Sequence, residues 1–178
     1  MLDIVTMLLH TDLMHTNKLI QRPGRTVVLV DLENLLTLNP LSCEVAALRG
    51  CLEALRDAGC LIELACSHWF AKRFAFDFPF GRSQWRSGKD GADQALLDTV
   101  AIEDLSSRFE SVVLFSGDGG FADVVGQLAA EGLHITVIAR PGSLSGRLRL
   151  AAHGHIIIDL NETDTTETED ESDLGDAA

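Results

Sequence analysis

From Thr26 onward, short apolar runs rich in β-branched residues alternate with stretches whose apolar residues recur every three or four positions. The runs are Val27–Asp31, Cys60–Ala65, Val112–Phe115, His134–Ala139 and Ile156–Ile158. Between them, helical spacing covers about 42–58 (Val45, Leu48, Leu52, Leu55), 92–103, a stretch holding Phe121, Val124, Val125 and Leu128, and about 143–152. Gly59 and Gly132 follow two of these stretches, as C-terminal caps do. Strands separated by helices of this length cannot pair as hairpins; they form a parallel sheet covered on both faces. The expectation is an α/β fold, a three-layer Rossmann-like sandwich around a mostly parallel five-stranded sheet.

In such sheets ligands bind beyond the carboxyl ends of the strands. Four consecutive buried-type residues, Val27 to Val30, stop abruptly at Asp31-Leu32-Glu33-Asn34. Asp31 and Asn34 therefore stand where chemistry is expected, although an acid after a strand serves equally well as the N-cap of the next helix. After the third run comes Ser116-Gly117-Asp118-Gly119-Gly120-Phe121-Ala122-Asp123, which sets Asp118 at a strand end beside a helix N-terminus. Asp118 also reads as a cap, and Asp123 as a first-turn acid favoured by the helix dipole. A third stretch, Gly91-Ala92-Asp93, opens the second helix; Asp93 shares a face with the apolar Leu97 and Val100. Asp98 lies about 140° further round that helix and is expected to face solvent.

Each signal alone is weak, but three segments deliver acids to one rim if the first and third strands are neighbours, as in the order 2-1-3-4-5. Clustered carboxylates repel unless a cation lies between them. Oxygen donors of this kind suit Mg2+ or Mn2+, ions that activate water and support displacement at phosphorus.

The net charge of −13 needs dividing before it means anything. Eight acids and no Lys or Arg fall in residues 161–178, leaving −5 over residues 1–160. That tail is too polar to bury and reads as disordered, a solubilising segment rather than a decoy for basic partners. Residues 1–25 form an N-terminal extension, helical or an over-called start, and residues 26–160 form the domain. The apolar beginning is interrupted by Asp3 and lacks a basic region before it, so it makes a poor signal peptide or membrane span. Cys43, Cys51, Cys60 and Cys66 have no metal-ligand spacing and read as reduced core thiols, which points to the cytoplasm.

Residues 67–91 break the alternation. They hold both Trp residues, five of the eight Phe and five of the fourteen basic residues. Aromatics among cations suit single-stranded nucleic acid, where bases stack and phosphates are neutralised. Alternatively, a short helix at about 69–76 packs its aromatics on the sheet. Both readings hold together if Phe70 and Phe74 are core while Trp85, Arg86 and Lys89 are exposed. Arg82 and Arg140 are further candidates for phosphate contact, with Arg147 and Arg149 explained as well by an exposed helix face.

Asp31-Leu-Glu-Asn34, Gly91-Ala-Asp93 and Ser116-Gly-Asp118-x-x-Phe121, together with Ser145-x-x-Leu148, jointly resemble the NYN domain, a branch of the PIN-like nuclease superfamily. The resemblance runs from about Thr26 to Leu160. It implies a Rossmann-like fold and Mg2+- or Mn2+-dependent hydrolysis of RNA. Residue by residue it implies catalytic metal binding by Asp31, Asp93 and Asp118, with Asn34 and Ser116 as polar neighbours. The family usually reads Ser-Gly-Asp-x-Asp-Phe, whereas Gly120 stands here in place of the second acid. Asp123, one turn later, is the expected substitute metal ligand.

The leading expectation is thus a metal-dependent ribonuclease binding RNA, single-stranded, through Arg82, Trp85, Arg86, Lys89 and Arg140. The rival is a non-catalytic RNA-binding or protein-interaction module with a partly degenerate site, favoured by Gly120. A phosphatase of the haloacid-dehalogenase type is disfavoured because Asp31-Leu32-Glu33 lacks its second Asp. No Gly-x-Gly-x-x-Gly follows the first strand, which argues against a dinucleotide site. No His stands in a triad-like context with Ser116; His68, His134, His153 and His155 read as strand-end or surface residues. The fifth strand is a possible edge for pairing, so oligomeric state stays open.

Overall fold

The computed structural model describes residues 25–161 except positions 38, 75, 80 and 89. The N-terminal extension through residue 24, all but the first residue of the acidic tail, and Lys89 lie outside the described residues. The chain runs β1 (Thr26–Asp31), α1 (Leu32–Leu35), α2 (Ser42–Asp57), β2 (Leu61–Cys66), α3 (His68–Phe74), β3 (Arg82–Trp85), α4 (Gly91–Glu103) and α5 (Leu105–Arg108). It continues with β4 (Ser111–Phe115), a 3-10 turn (Gly119–Phe121), α6 (Ala122–Ala130), β5 (His134–Ala139), α7 (Gly146–Ala151) and β6 (Gly154–Ile157). Among the described residues no helix is long and apolar enough to cross a membrane.

The strands form one parallel sheet in the order β3-β2-β1-β4-β5-β6. Side chains alternate across it, as strand geometry requires. Val28, Val30, Ile62, Leu64, Val113 and Phe115 enter one core layer with Leu48 and Leu52 of α2 and Phe70 of α3. Val27, Leu29, Ala65, Leu114 and Val137 enter the other with Leu96 of α4, Val125 of α6 and Leu148 of α7. Val27, Val28 and Val30 are completely buried, which is why β1 reads as an uninterrupted apolar run. The chain leaves β1 toward β2 and β3, then returns to β4 and proceeds the other way. The reversal falls between β1 and β4, so their carboxyl-end loops diverge and leave a crevice.

The expected strands are all present, in the expected order, but the sheet has six strands rather than five. The added strand, β3, arises inside the irregular segment 67–91. Its residues Arg-Ser-Gln-Trp carry no apolar run, so nothing local marks it as a strand. Tertiary pairing creates it: β3 adds to the edge of β2 in register Glu63↔Arg82 through Cys66↔Trp85. Glu63 is almost wholly buried in the apolar β2, and Arg82 supplies its counter-charge at 3.0 Å. Burial raises the Glu63 pKa, and Arg82 opposes that rise. The charged, exposed strand also makes a poor template for edge-to-edge aggregation.

Segment 67–91 also contains the short helix α3, with Phe70 buried and Phe74 half-buried. The four cysteines are free; burial pushes the thiols of Cys51 and Cys66 up to about 12, so they are inert core groups.

Candidate metal and nucleic-acid site

Asp31 is the last residue of β1 and only 4% exposed. It serves as the N-cap that its sequence context allowed and also faces the cleft. Its Oδ1 accepts from the Asn34 amide at 3.3 Å and caps α1, while Oδ2 accepts from the buried Ser116 hydroxyl at 3.3 Å. The one-turn helix also turns Asn34 toward the β4 loop, where its Oδ1 accepts from the Gly117 amide at 2.7 Å. Gly117 has no substitute: an added Cβ would lie 2.4 Å from the Ser143 carbonyl oxygen. On its other side the Gly117 carbonyl accepts from the Ser145 amide at 2.9 Å, and Ser145 Oγ caps α7 by accepting from the Leu148 amide. The Ser145-x-x-Leu148 spacing thereby braces the loop that carries Asp118.

Ser116 Oγ, besides donating to Asp31, accepts from the Asp118 amide at 3.2 Å. Asp118 Oδ1 accepts from the Gly120 amide at 2.7 Å and caps the 3-10 turn. Ser116 is thus a buried strut between two acids. Among the described residues no histidine is hydrogen-bonded to it; His134 and His153 stack at the amino end of the sheet, ring centroids 4.7 Å apart.

Asp93, in the first turn of α4, comes from the opposite wall. Gly91 lets that helix start close in, since a Cβ there would meet the Arg86 carbonyl oxygen at 2.2 Å. The Asp31 and Asp93 carboxyls face each other closely enough for each to shift the other's proton affinity. Burial pushes Asp31 up to about 7, and the Asp93 charge pushes the same way; the Asn34 amide and Ser116 hydroxyl oppose the rise. Asp93 is also raised, first by burial and then by Asp118, Asp90 and Glu33. Two carboxyls so placed share one proton, held on the deeper Asp31, or else need a cation.

These groups line an open cleft of about 220 Å³ with Asp31, Glu33, Asn34, Asp90, Asp93 and Asp118 on its walls. Sequence reasoning missed two of them. Glu33, which was not among the expected site residues, has Oε1 accepting from the Ser67 hydroxyl at 2.6 Å and Oε2 from the Ser67 amide at 3.2 Å, which anchors it across the β2 end. Asp90 immediately precedes α4 with φ +57 and makes no capping bond. An acid directly before Gly91 was its only visible signal.

Several expected site residues lie elsewhere. Asp123 is 89% exposed on the outer side of α6, paired with Arg147 at 2.9 Å and absent from the cleft walls. Its neighbours Ala122 and Val125 take the buried side of that helix, which leaves Asp123 outward. Arg140 is mostly buried: it pairs with Glu44 at 2.9 Å and donates to the Leu35 carbonyl at 3.0 Å. Arg82 pairs with Glu63 and Glu103, and Arg86 with Asp98, which is exposed as expected. Three of the five residues expected to hold RNA are therefore already paired with acids. Trp85 is 51% exposed.

The donor set of Asp31 and Asp93, with Asp118 on the cleft wall, is made of hard oxygens. It fits a hydrated Mg2+ or Mn2+, which takes one or two carboxylates and keeps several waters. Among the described residues no three His, Cys, Asp or Glu groups stand together as a ready ligand set.

A parallel Rossmann-like sheet with a carboxylate cleft at its switch point defines an α/β protein whose candidate site lies at the carboxyl rim. The chain belongs to the NYN domain family, which its residues 25–159 match. Over 72 residues it is 36% identical to the low amplitude and bright protein LabA of Synechococcus elongatus, a match covering 39% of this chain and 38% of LabA. The chain thus spans well under half the length of that relative. A crystal structure of a protein of unknown function from Vibrio parahaemolyticus superposes with a TM-score of 0.52 at 18% identity, covering 76% of this chain and 93% of that one. That likeness concerns the fold alone.

Proposed function

We propose that this protein is a divalent-metal-dependent ribonuclease, with the reaction at the carboxyl rim between β1, β4 and the start of α4. The observation that carries the reading is the convergence of the Asp31, Asp93 and Asp118 carboxyls on one acid-lined cleft, in a member of a nuclease-related family. Opposed carboxylates with raised proton affinity destabilise an empty site and favour one that holds a cation. Asp31 and Asp93 would hold Mg2+ or Mn2+, with Asp118 completing the charge around it. When bound, the ion supplies charge neutralisation at a phosphate and lowers the pKa of water.

The chain's own residues do the rest. Ser116 and the Asn34 amide keep Asp31 in one orientation, so its carboxylate need not reorganise when the ion or substrate arrives. Asn34, through Gly117, keeps the Asp118 loop at a fixed distance from β1. Glu33 and Asp90 add negative charge at the mouth, where either can accept a proton from water approaching phosphorus. The substrate is RNA, and the open cleft suits a flexible single strand better than a duplex.

One observation favours a second reading, a non-catalytic RNA-binding module. Gly120 leaves the family's second acid position empty, and Asp123 does not reach the cleft. The deciding experiment incubates the protein with labelled single-stranded RNA in Mn2+ or EDTA, beside Asp31→Asn. The expected result is Mn2+-dependent cleavage reduced at least about a hundredfold in the variant, the loss typical of a key electrostatic group. Binding without cleavage in any divalent metal would sink the enzyme reading.

A further inference from the structure

Helix α3 has two unlike sides. Phe70 and Ala71 are buried, and Phe74 packs partly against the same core. The outward stripe is Trp69, Lys72 and Arg73, at the i, i+3, i+4 spacing of one helical face, with Phe76 also exposed just past the helix end. Trp69 is 50% exposed and Phe76 91%. The Arg73 guanidinium lies over the rings of Trp69 and Phe74, at 5.2 and 5.1 Å. Lys72 is exposed and joins none of the ion pairs among the described residues.

Trp85 belongs to the same surface. It pairs in register with Cys66, whose side chain lies in the core layer beneath α3, so Trp85 leaves the sheet on that side. His68 Nδ1 and Ser87 Oγ are 2.9 Å apart, which ties the first turn of α3 to the loop leaving β3. Gly88 and Asp90 of that loop form a wall of the cleft. The aromatic surface and the carboxylate cleft are therefore continuous.

A stripe of exposed aromatic rings with cations among them matches the chemistry of unpaired nucleic acid. Unpaired bases stack on tryptophan and phenylalanine faces, and their phosphates are met by lysine and arginine. A duplex hides its base faces and gains only the charge contacts. Arg82, Arg86 and Arg140 are committed to acids of the protein itself, so the phosphate contact falls to Lys72, while Arg73, which donates to Asn39 Oδ1 at 3.1 Å, holds the Trp69 ring in place.

We infer that the outward stripe of α3, together with Trp85, is a binding track for single-stranded RNA leading into the cleft. The direction of the track rests on the nuclease reading; the binding does not. The test is fluorescence anisotropy in EDTA with a labelled single strand of about ten nucleotides, within the usual span of such sites. Trp69→Ala and Trp85→Ala are each expected to weaken binding about tenfold, and Trp69→Phe to retain most of it. Lys72→Glu is expected to flatten the salt dependence of binding. All of these sites are exposed or half-exposed, and a circular dichroism spectrum matching wild type confirms each fold. Equal affinity of wild type and both alanine variants would overturn the inference. So would a wild type that does not bind single-stranded RNA, which leaves the stripe to a protein partner. If the variants lose affinity while wild type cuts RNA in no metal, the track stands and the nuclease reading falls. If wild type cuts RNA with metal while the variants keep full affinity, the nuclease reading stands and the track falls.

Discussion

At the scale of single residues, Gly120 decides how complete the site is. A Cβ added there would find one neighbour, the Asp118 carboxyl, with Oδ1 at 3.3 Å, and otherwise open space. The family's usual aspartate therefore fits sterically, and its absence is a matter of charge. A further carboxylate about 4 Å from a bound dication strengthens binding by on the order of 2 kcal/mol in a solvent-exposed setting. Gly120→Asp is expected to raise Mn2+ affinity about thirtyfold by isothermal titration, the ratio that such an energy implies. Unchanged affinity would place the position outside the ion's field. The motif acids at 31, 93 and 118 were legible because each ends a strand or opens a helix, a local event. Glu33 and Asp90 were not, because their direction depends on Ser67 and on the left-handed turn before Gly91.

At the scale of elements, Arg140 shows why a cation near a rim is not a phosphate ligand by default. It joins the end of β5 to α2 through Glu44, whose other carboxylate oxygen accepts from the Leu41 amide at the start of that helix. Glu44 is 4% exposed, so removing its partner strands a buried charge. Arg140→Ala is expected to cost about 3 kcal/mol in chemical denaturation, the range for breaking a buried pair. Glu44→Gln in the same background should restore part of that loss. A wild-type denaturation curve for Arg140→Ala would return the residue to the candidate RNA contacts. Periodicity placed α2, α4, α6 and α7 within a few residues, since buried faces repeat every 3.6 residues. It missed β3, whose only strand signal is the neighbour it pairs with.

At the scale of the whole molecule, the site opposes stability. An Asp31 carboxyl raised from 3.8 to about 7 binds a proton in the folded state that the unfolded chain has already released. Stability is therefore highest at low pH in this window and falls as pH rises from about 4 to about 7. The full span is on the order of 4 kcal/mol, which the proton sharing with Asp93 spreads over both groups. Asp31→Asn is expected to flatten the decline in unfolding free energy measured across that range, and Mn2+ to offset it above about pH 7 by binding the folded state alone. A profile in wild type that is flat or rises with pH would show that Asp31 does not carry this load.

The sequence alone determined the alternation of strands and helices and the placement of three acids at strand or helix ends, because these depend on short-range period. That the strands adopt the order in which those acids share one rim was a condition of the sequence reading, and the sheet met it. Tertiary structure alone decided that Asp31 and Asp93 face each other, that Glu33 and Asp90 join them while Asp123 does not, and that most of the expected phosphate-binding arginines are already neutralised. It also drew β3 out of an irregular segment and turned an aromatic, cationic face of α3 to solvent. Charge pairing and edge-strand addition join residues far apart in the chain, and no local pattern records which partners will meet.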